Sequence, residues 1–357
     1  MSRTRPPGSH PGVQASARDA AALCCRVLER VGTPTDLAAE VADHLVDADR
    51  AGVPSHGLAQ LPRYVAAIRD GILRPAGRPA VERHRPAAVR VSGQGGFGQV
   101  ATRVATAEAV ALAHSDGIGV AGVRDAHHAG RVGAYAEQAA AAGAMLLLWS
   151  GGQGEEQPSA VPHGGRRPLF QTNPVAFGFP GPEAGAIVAD FATTAMAGAR
   201  IQRAADRGER LPPGTIVDRD GNDTTDPLEL LERGGAHLPF GEHKGFSLML
   251  ACEILGRIVT GADDNRQDPI RDPLFRRAGT LIIAIPTDLF RPRSEYQERM
   301  EELAQRVRAC PPRPGTDRVR LPGDSEREAR EGPRDVLSVP AALWSELERL
   351  AGDGGKR

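Results

Sequence analysis

VSGQGGFGQV, residues 91–100, is the stretch on which the fold turns. Gly93, Gly95 and Gly98 stand in the Gly-x-Gly-x-x-Gly order of a dinucleotide-binding turn. An apolar run, AAVRV (87–91), precedes them, and a helix-like run, QVATRVATAEAVALAH (99–114), follows. Strand, glycines, helix is the context of a Rossmann unit. Such a unit also needs an acid at the end of its second strand, about 20 residues further on. Asp116 has roughly that offset but precedes the next strand-like run, GIGVAGV (117–123). Asp125 ends that run but lies 27 residues after Gly98. No residue combines spacing and context, so the glycines read as a tight strand-to-helix turn.

Working outward, short β-like runs alternate with helices. AMLLLWS (144–150), VAFGF (175–179), AIVADF (186–191) and TLIIAI (280–285) read as strands. Helices fall at about 99–115, 131–143 and 192–208, and KGFSLMLACEILGRIVTG (244–261) reads as a mostly buried helix. The aperiodic tract 151–167 reads as a mobile surface loop, and 209–242 as a long loop with a turn at Asp220-Gly221. On the N-terminal side, three amphipathic helices between 17 and 71 stop at Gly32, Gly52 and Gly71. Surface helices are expected at 294–309 and 341–351. The fold class is α+β. Residues 1–16 form a disordered lead-in and 17–80 a helical domain, completed by about 290–357. Residues 81–289 form the central α/β domain.

Composition narrows the function classes. The 357 residues carry a formal net charge of −1, with 40% hydrophobic and 25% charged residues. That balance fills a core, and it supplies neither the basic field that nucleic acid requires nor a polybasic run for anionic lipid. No run approaches the roughly 18 apolar residues of a membrane span. The polar, Pro/Gly-rich start MSRTRPPGSHPGVQ has no apolar core of a signal peptide. Cys24, Cys25, Cys252 and Cys310 form no Cys-x-x-Cys pair, as in a reduced cytoplasmic protein without a zinc site. Neither a nucleic-acid nor a membrane partner is expected.

Four clusters carry the side chains of chemistry. In PSHGLAQLPRY (54–64), Ser55 and His56 sit at a helix junction. Histidine donates a proton near neutral pH and a neighbouring hydroxyl can orient it; equally, Ser55 caps a helix and His56 fills the junction. RDAHHAGRVGAY (124–135) follows a strand, with glycines where a flat ring or phosphate can approach, or it is a polar loop. Adjacent histidines without a third ligand at useful spacing give no metal site. TNPVAFGFP (172–180) and IVADFATT (187–194) place Thr172, Asn173 and Asp190 at turns and strand ends. In GEHKGFSLML (241–250), Lys244 opens a helix against the helix dipole, which an anion there would offset. A solvated lysine is the alternative.

Taken in order, GVPSHG, GIGVAGVRDAHHAG, TNPVAFGFP, VADFATT, IVDRDGNDTTDP, HKGFSLMLACEILGRIVTGA and VRLPGD resemble the type-2 malate/L-lactate dehydrogenase family. That family also holds ureidoglycolate, sulfolactate and diketogulonate dehydrogenases and cyclic imino-acid reductases. The resemblance spans about residues 17–335 and implies a non-Rossmann fold. It has a helical domain from both chain ends, a central α/β domain with a mixed sheet, and a homodimer. It implies NAD or NADP, with hydride moved to or from C2 of a small 2-oxo or 2-hydroxy acid or a cyclic imine. His56 would be the proton donor and Ser55 its hydrogen-bonded neighbour. His128, Ala129, Gly130, Asp190, Phe191, Ala192, His243, Lys244, Pro322 and Gly323 would line the cofactor, and Thr172 would touch substrate.

The chain departs from the pattern at three places. Gln60 stands where members carry an arginine for the substrate carboxylate, and a neutral amide makes no bidentate charged pair. On one helix, residues 56, 60 and 63 share a face, which offers Arg63 as the substitute. Arg200 stands where the imino-acid reductases place a relay aspartate, and Gln171 replaces a glycine before TNP. Three readings follow. The first is a 2-oxo/2-hydroxy-acid oxidoreductase using Gln60, Arg63, Thr172 and Arg200 around its substrate. The second is a ketimine or cyclic imino-acid reductase. The third is a cofactor-binding paralogue with weak or no activity.

Overall fold

The computed structural model describes residues 12–153, 157–181, 185–263, 275–331 and 335–352. In chain order they form β1 (Val13–Ser16), α1 (Ala17–Arg30), α2 (Thr35–Arg50) and α3 (Leu61–Arg69). Next come β2 (Ala80–Arg85), β3 (Ala88–Ser92), α4 (Gly98–Asp116), β4 (Gly119–Arg124), α5 (Gly133–Ala141) and β5 (Ala144–Gly151). Then follow β6 (Val175–Phe179), β7 (Ile187–Phe191), α6 (Gly198–Asp206), β8 (Ile216–Val217), β9 (Asp223–Thr224), α7 (Pro227–Glu232) and β10 (Ala236–His237). Last are α8 (His243–Cys252), β11 (Gly279–Pro286), α9 (Arg293–Arg308), α10 (Asp324–Arg330), β12 (Val336–Val339) and α11 (Ala341–Ala351). The chain divides into two compact units, residues up to 76 with those from 326 onward, and residues 77–325.

The first unit is helical. Ala20, Leu23, Cys24, Val27 and Leu28 of α1 are buried at helical spacing, as are Leu37, Ala38, Val41, Ala42 and Leu45 of α2. Ser16 caps α1, its hydroxyl oxygen accepting from the Asp19 N–H at 3.0 Å. The expected lead-in needs correcting at its end. Residues 1–11 lie outside the described residues, but 13–16 are a strand, paired antiparallel with 336–339. Its partner is more than 300 residues away, so nothing local signals it. The expected helix over 58–71 also starts late: a 3-10 turn over Leu58–Gln60 leads into α3.

The second unit is built on a seven-stranded mixed sheet of order β2-β3-β4-β11-β5-β6-β7. Only β3 and β4 run parallel; every other neighbouring pair is antiparallel. This is not the largely parallel Rossmann sheet, as the class α+β required. The core joins Val91, Ala121, Leu146, Leu148 and Ile282 to a row of alanines on α4, including Ala101, Ala105, Ala109 and Ala113. Small side chains let α4 lie on the strands: a Cβ on Gly119 would stand 1.8 Å from the Ala109 carbonyl oxygen.

Four further expectations are corrected. Residues 290–325, assigned from sequence to the helical domain, group with the central unit. There the Tyr296 hydroxyl donates to the Pro180 carbonyl at 2.9 Å. The loop expected over 209–242 contains β8, β9, α7 and β10, with β10-β8-β9 as a small sheet. Its expected turn does form: the Asp218 carboxylate accepts the N–H groups of Asp220 and Asn222, and Gly221 has φ 90°. The tract 151–167 is not wholly a surface loop, because Ala160 and Val161 are fully buried and bridge to Phe170 and His237. The helix expected over 244–261 is α8 continued by π-type turns over Glu253–Val259. Only part of it is buried: Leu250, Ile254, Ile258 and Val259 are exposed.

Candidate functional site

The glycine turn closes on backbone carbonyls of the chain itself. A phosphate cradle needs backbone N–H groups pointing at the ligand. Here three of the turn's N–H groups are consumed. Gly93 N–H donates to the Arg124 carbonyl, Gly95 N–H to that of Asp125, and Gly96 N–H to that of Gly93, all at 2.8 Å. The glycines are required for packing instead. A Cβ on Gly98 would lie 2.1 Å from the His127 oxygen, and one on Gly93 would lie 2.7 Å from Ala126. Gly95 holds φ 74°, which glycine adopts without strain. The turn thus braces the loop that follows β4.

In the helical unit, a 3-10 turn over Pro54–His56 carries the Ser-His pair. Ser55 Oγ lies 3.0 Å from His56 Nδ1, and both residues are half-buried. Gly57 then takes an extended conformation, φ −94° and ψ −147°. That break corrects the shared-face argument: His56 is not on one continuous helix with residues 60 and 63. Gln60 has another task, its amide donating to the Ser55 carbonyl at 2.5 Å and so tying the turn. Arg63 is exposed on α3, with no side-chain partner among the described residues.

Asp49 underlies this turn. Its Oδ2 accepts the Leu58 N–H at 2.7 Å, and a Cβ on Gly57 would stand 2.3 Å from the same oxygen. Burial pushes the carboxyl up to about 6, against the lowering effect of the Leu58 N–H. In the unfolded chain this carboxyl ionises first, so the stability it contributes falls as pH rises from about 4 to about 6 and is level above. Asp49→Asn keeps an acceptor and removes that charge. It should gain on the order of 1–2 kcal/mol at pH 8, after allowance for partial exposure, and nothing at pH 4. Thermal unfolding at both pH values checks this; an equal loss at both would refute it.

In the central unit, β7 carries Asp190 and touches the Pro322-Gly323 turn, and the His128–Gly130 loop leads into the helix start that Asp190 binds. Gly130 is buried with φ 73°, and the loop His128–Gly130 is held by the Tyr135 hydroxyl, which donates to the Ala129 carbonyl. His128 is half-buried, its ring 5.6 Å from that of Phe275. Asp190 Oδ2 accepts the Gly133 N–H at 2.7 Å, placing a carboxylate at the N-terminus of α5, where the dipole favours it. The Pro322 carbonyl accepts the Val188 N–H at 3.1 Å, and Gly323, at φ 91°, packs against Val188.

A second thread runs from β6 to α8. Thr193 donates to the Thr172 carbonyl from its N–H and its hydroxyl, at 2.9 and 3.0 Å. The Thr172 hydroxyl has no partner among the described residues. Phe191 meets Phe240 ring to ring at 5.8 Å, and Ala192 follows half-buried. Phe240 leads through Glu242, strained at φ 59°, into His243 and Lys244. His243 stands edge-on to His163 at 6.1 Å. The N–H groups of Lys244 and Gly245 are taken by the carbonyls of Gly241 and Phe240. The helix terminus is therefore largely satisfied, and anion attraction falls to the exposed Lys244 ammonium, which has no partner among the described residues. Arg200 is exposed on α6 and lines a cavity with other arginines.

Comparison with known proteins places the whole chain. A family model described as malate/L-lactate dehydrogenase matches residues 15–348. The chain belongs to that family. It is 35% identical to an L-lactate dehydrogenase of Cupriavidus necator, over 94% of this chain and 96% of that protein. It is 34% identical to a Δ1-pyrroline-2-carboxylate reductase of Ancylobacter novellus, over 96% and 98%. The structure of a sulfolactate dehydrogenase from Methanocaldococcus jannaschii superposes with a TM-score of 0.85 at 30% identity, covering 96% of this chain and 98% of that one. As a member of the malate/L-lactate dehydrogenase family, the protein is an oxidoreductase with a non-Rossmann fold, and family members depend on a nicotinamide cofactor.

Within this malate/L-lactate dehydrogenase scaffold, sequence reasoning missed several residues. Asp49 had a signal: with Ala38, Ala42 and Leu45 it lies on the apolar stripe of α2, where an isolated acid is costly. Tyr135 had none, because its hydroxyl works on a carbonyl six residues back. Asn173 was read only as a turn residue. It is fully buried, and its amide donates to the Met249 carbonyl at 3.1 Å and to Glu253 Oε1 at 2.9 Å. Glu253 also accepts the Gly152 N–H at 3.2 Å, so the pair pins α8 and the π-type turns to the sheet.

Proposed function

We propose that the protein transfers hydride between NAD or NADP and C2 of a small 2-oxo or 2-hydroxy acid, with His56 exchanging the proton. The observation that carries this is the Ser55–His56 contact at 3.0 Å on a turn tied by Gln60 and Asp49. With Nδ1 engaged by the hydroxyl, Nε2 is the nitrogen for substrate. Gln60 is spent on the Ser55 carbonyl, so the substrate carboxylate falls to a guanidinium, and Arg63 supplies one on the same unit.

The residues present fit a nicotinamide dinucleotide. Lys244 offers an unpaired ammonium for a pyrophosphate, and the glycine-bearing loop His128–Gly130 leaves room for a flat ring. Asp190, Phe191, Ala192, His243, Pro322 and Gly323 complete the expected lining. The bound cofactor would supply the hydride; the chain supplies position, a proton and exclusion of water. Thr172 orients substrate through its unengaged hydroxyl. Reduction of a cyclic imine is the second reading, favoured by the 34% identity to a pyrroline-carboxylate reductase.

The working form is a homodimer in the cytoplasm. Support for the dimer is the exposed apolar row Leu250, Ile254 and Ile258 on the helix after Lys244. All four cysteines are free, as a reducing compartment keeps them. No helix among the described residues is long and apolar enough to cross a membrane. The test is oxidation of NADH and NADPH against 2-oxo acids, with and without methylamine, and against cyclic imines. Turnover with oxo acids alone is expected. Turnover only with amine or imine moves the protein to the second reading, and NAD(P)H binding without any oxidation overturns both.

A further inference from the structure

We propose that the arginine-lined cavity at the C-terminal end of α6 binds a small polyanion whose oxyanion groups carry two or more negative charges. The cavity has a volume of about 370 Å³ and is lined by Arg200, Arg203, Arg207 and Arg210, with Glu209 and the apolar Met196 and Leu211 among the remaining walls. That size lies within the ~300–1,000 Å³ of small-molecule sites.

Arg200 and Arg203 stand at positions i and i+3 of α6, and Arg207, the αR residue that caps it, follows at i+7, which puts the three on one side. Arg210 follows on the loop, whose far end is fixed by the Leu211 N–H donating to the Thr225 carbonyl at 2.8 Å. Ile201 and Ile216, which do not line the cavity, pack in a small core with Ala204 and Leu211 of its wall, so the arginine face is backed. Like charges at this spacing repel, and the chain does little to neutralise them. Arg200 and Arg203 have no side-chain partner among the described residues. Arg207 approaches Glu209 only at 4.0 Å, between two side chains that are each more than half exposed. Asp206, on the same helix, is engaged by Gln202 at 2.9 Å.

Four guanidiniums and one carboxylate line the concavity, and the Asp226 carboxylate, which interacts with Arg210, lies outside that lining, so the wall itself is strongly positive. Guanidinium forks match carboxylate and phosphate oxygens in pairs, which selects clustered oxyanions over a single charge. Hydride transfer requires nothing of this cavity, and apart from Arg200 none of the residues assigned to substrate or cofactor lines it. The inference therefore goes beyond the proposed function and does not rest on it.

The test is calorimetric titration of the full chain with inorganic pyrophosphate and, separately, with citrate, at low ionic strength because salt screens exposed charges. Saturable one-to-one binding of at least one, below about 1 mM, is expected. Pyrophosphate alone would mark a phosphorylated ligand, and citrate alone a polycarboxylate. The exposed double substitution Arg203→Gln/Arg207→Gln should weaken it by about tenfold or more with an unchanged circular dichroism spectrum. Lys244→Ala should leave it as it is. No saturable binding of either anion, or equal affinity in the double variant, would overturn the proposal. So would loss of binding in Lys244→Ala alone, which would place the anion where the cofactor is expected. Absence of NAD(P)H oxidation would count against the proposed function and leave this binding untouched.

Discussion

Replacing His56 by alanine should lower turnover by about 10²–10⁴-fold while NAD(P)H still binds. Hydride addition to a carbonyl builds negative charge on its oxygen, and an imidazolium within hydrogen-bond reach neutralises that charge as it forms. A proton held ready matters only in the transition state, so the loss belongs in kcat more than in KM. The cofactor should be indifferent, because every residue assigned to it belongs to the central unit and His56 to the helical one. Fluorescence titration with NADH and NADPH, beside steady-state rates, separates the two. Undiminished turnover in the variant would remove His56 from the reaction. Ser55→Ala is the gentler companion: it removes the 3.0 Å contact to Nδ1 and leaves the imidazole in place.

Gly98→Ala should lower the unfolding midpoint by several degrees. Inside a helix that exchange normally gains up to about 1 kcal/mol. Here the added methyl would sit 2.1 Å from the His127 carbonyl oxygen and 2.6 Å from the His128 carbonyl, atoms of backbone that cannot rotate away. The clash reverses the sign, at a cost of about 1–3 kcal/mol or more, and a chain of this size loses roughly 2–4 °C for each. The displaced peptide leads directly into His128–Gly130, so cofactor affinity should weaken with it. A phosphate-cradle reading expects the opposite pattern, weaker cofactor binding at undiminished stability. Thermal melts of the protein without cofactor decide between them.

The glycine turn also shows how far local sequence reaches. Strand, turn and helix around 91–100 are as expected, since each follows from periodicity and from glycine's freedom at φ 74°. Whether the turn's N–H groups face a ligand is not a local property. Those of Gly93 and Gly95 are taken by the carbonyls of Arg124 and Asp125, more than 25 residues on. The Ser55–His56 pair was legible as a pair, because neighbours in sequence are neighbours in space. The shared helix face of His56, Gln60 and Arg63 did not form, because one extended residue, Gly57, breaks the helix.

By itself the sequence determined the alternation of helix and strand, the α+β class, the Ser-His pair and, through seven ordered motifs, the family. These rest on periods of two and 3.6 residues and on side-chain chemistry, which survive without knowledge of distant contacts. Tertiary structure alone decided that 13–16 is a strand, that Gln60 is spent on Ser55, and that burial raises the Asp49 carboxyl. It likewise decided that four arginines share one cavity. Each of these depends on which group fills a hydrogen bond, covers a carboxylate or lies across a concavity. Partners brought from elsewhere in the chain, or the three-dimensional shape of the segment, make that choice, and neither leaves a period in the sequence.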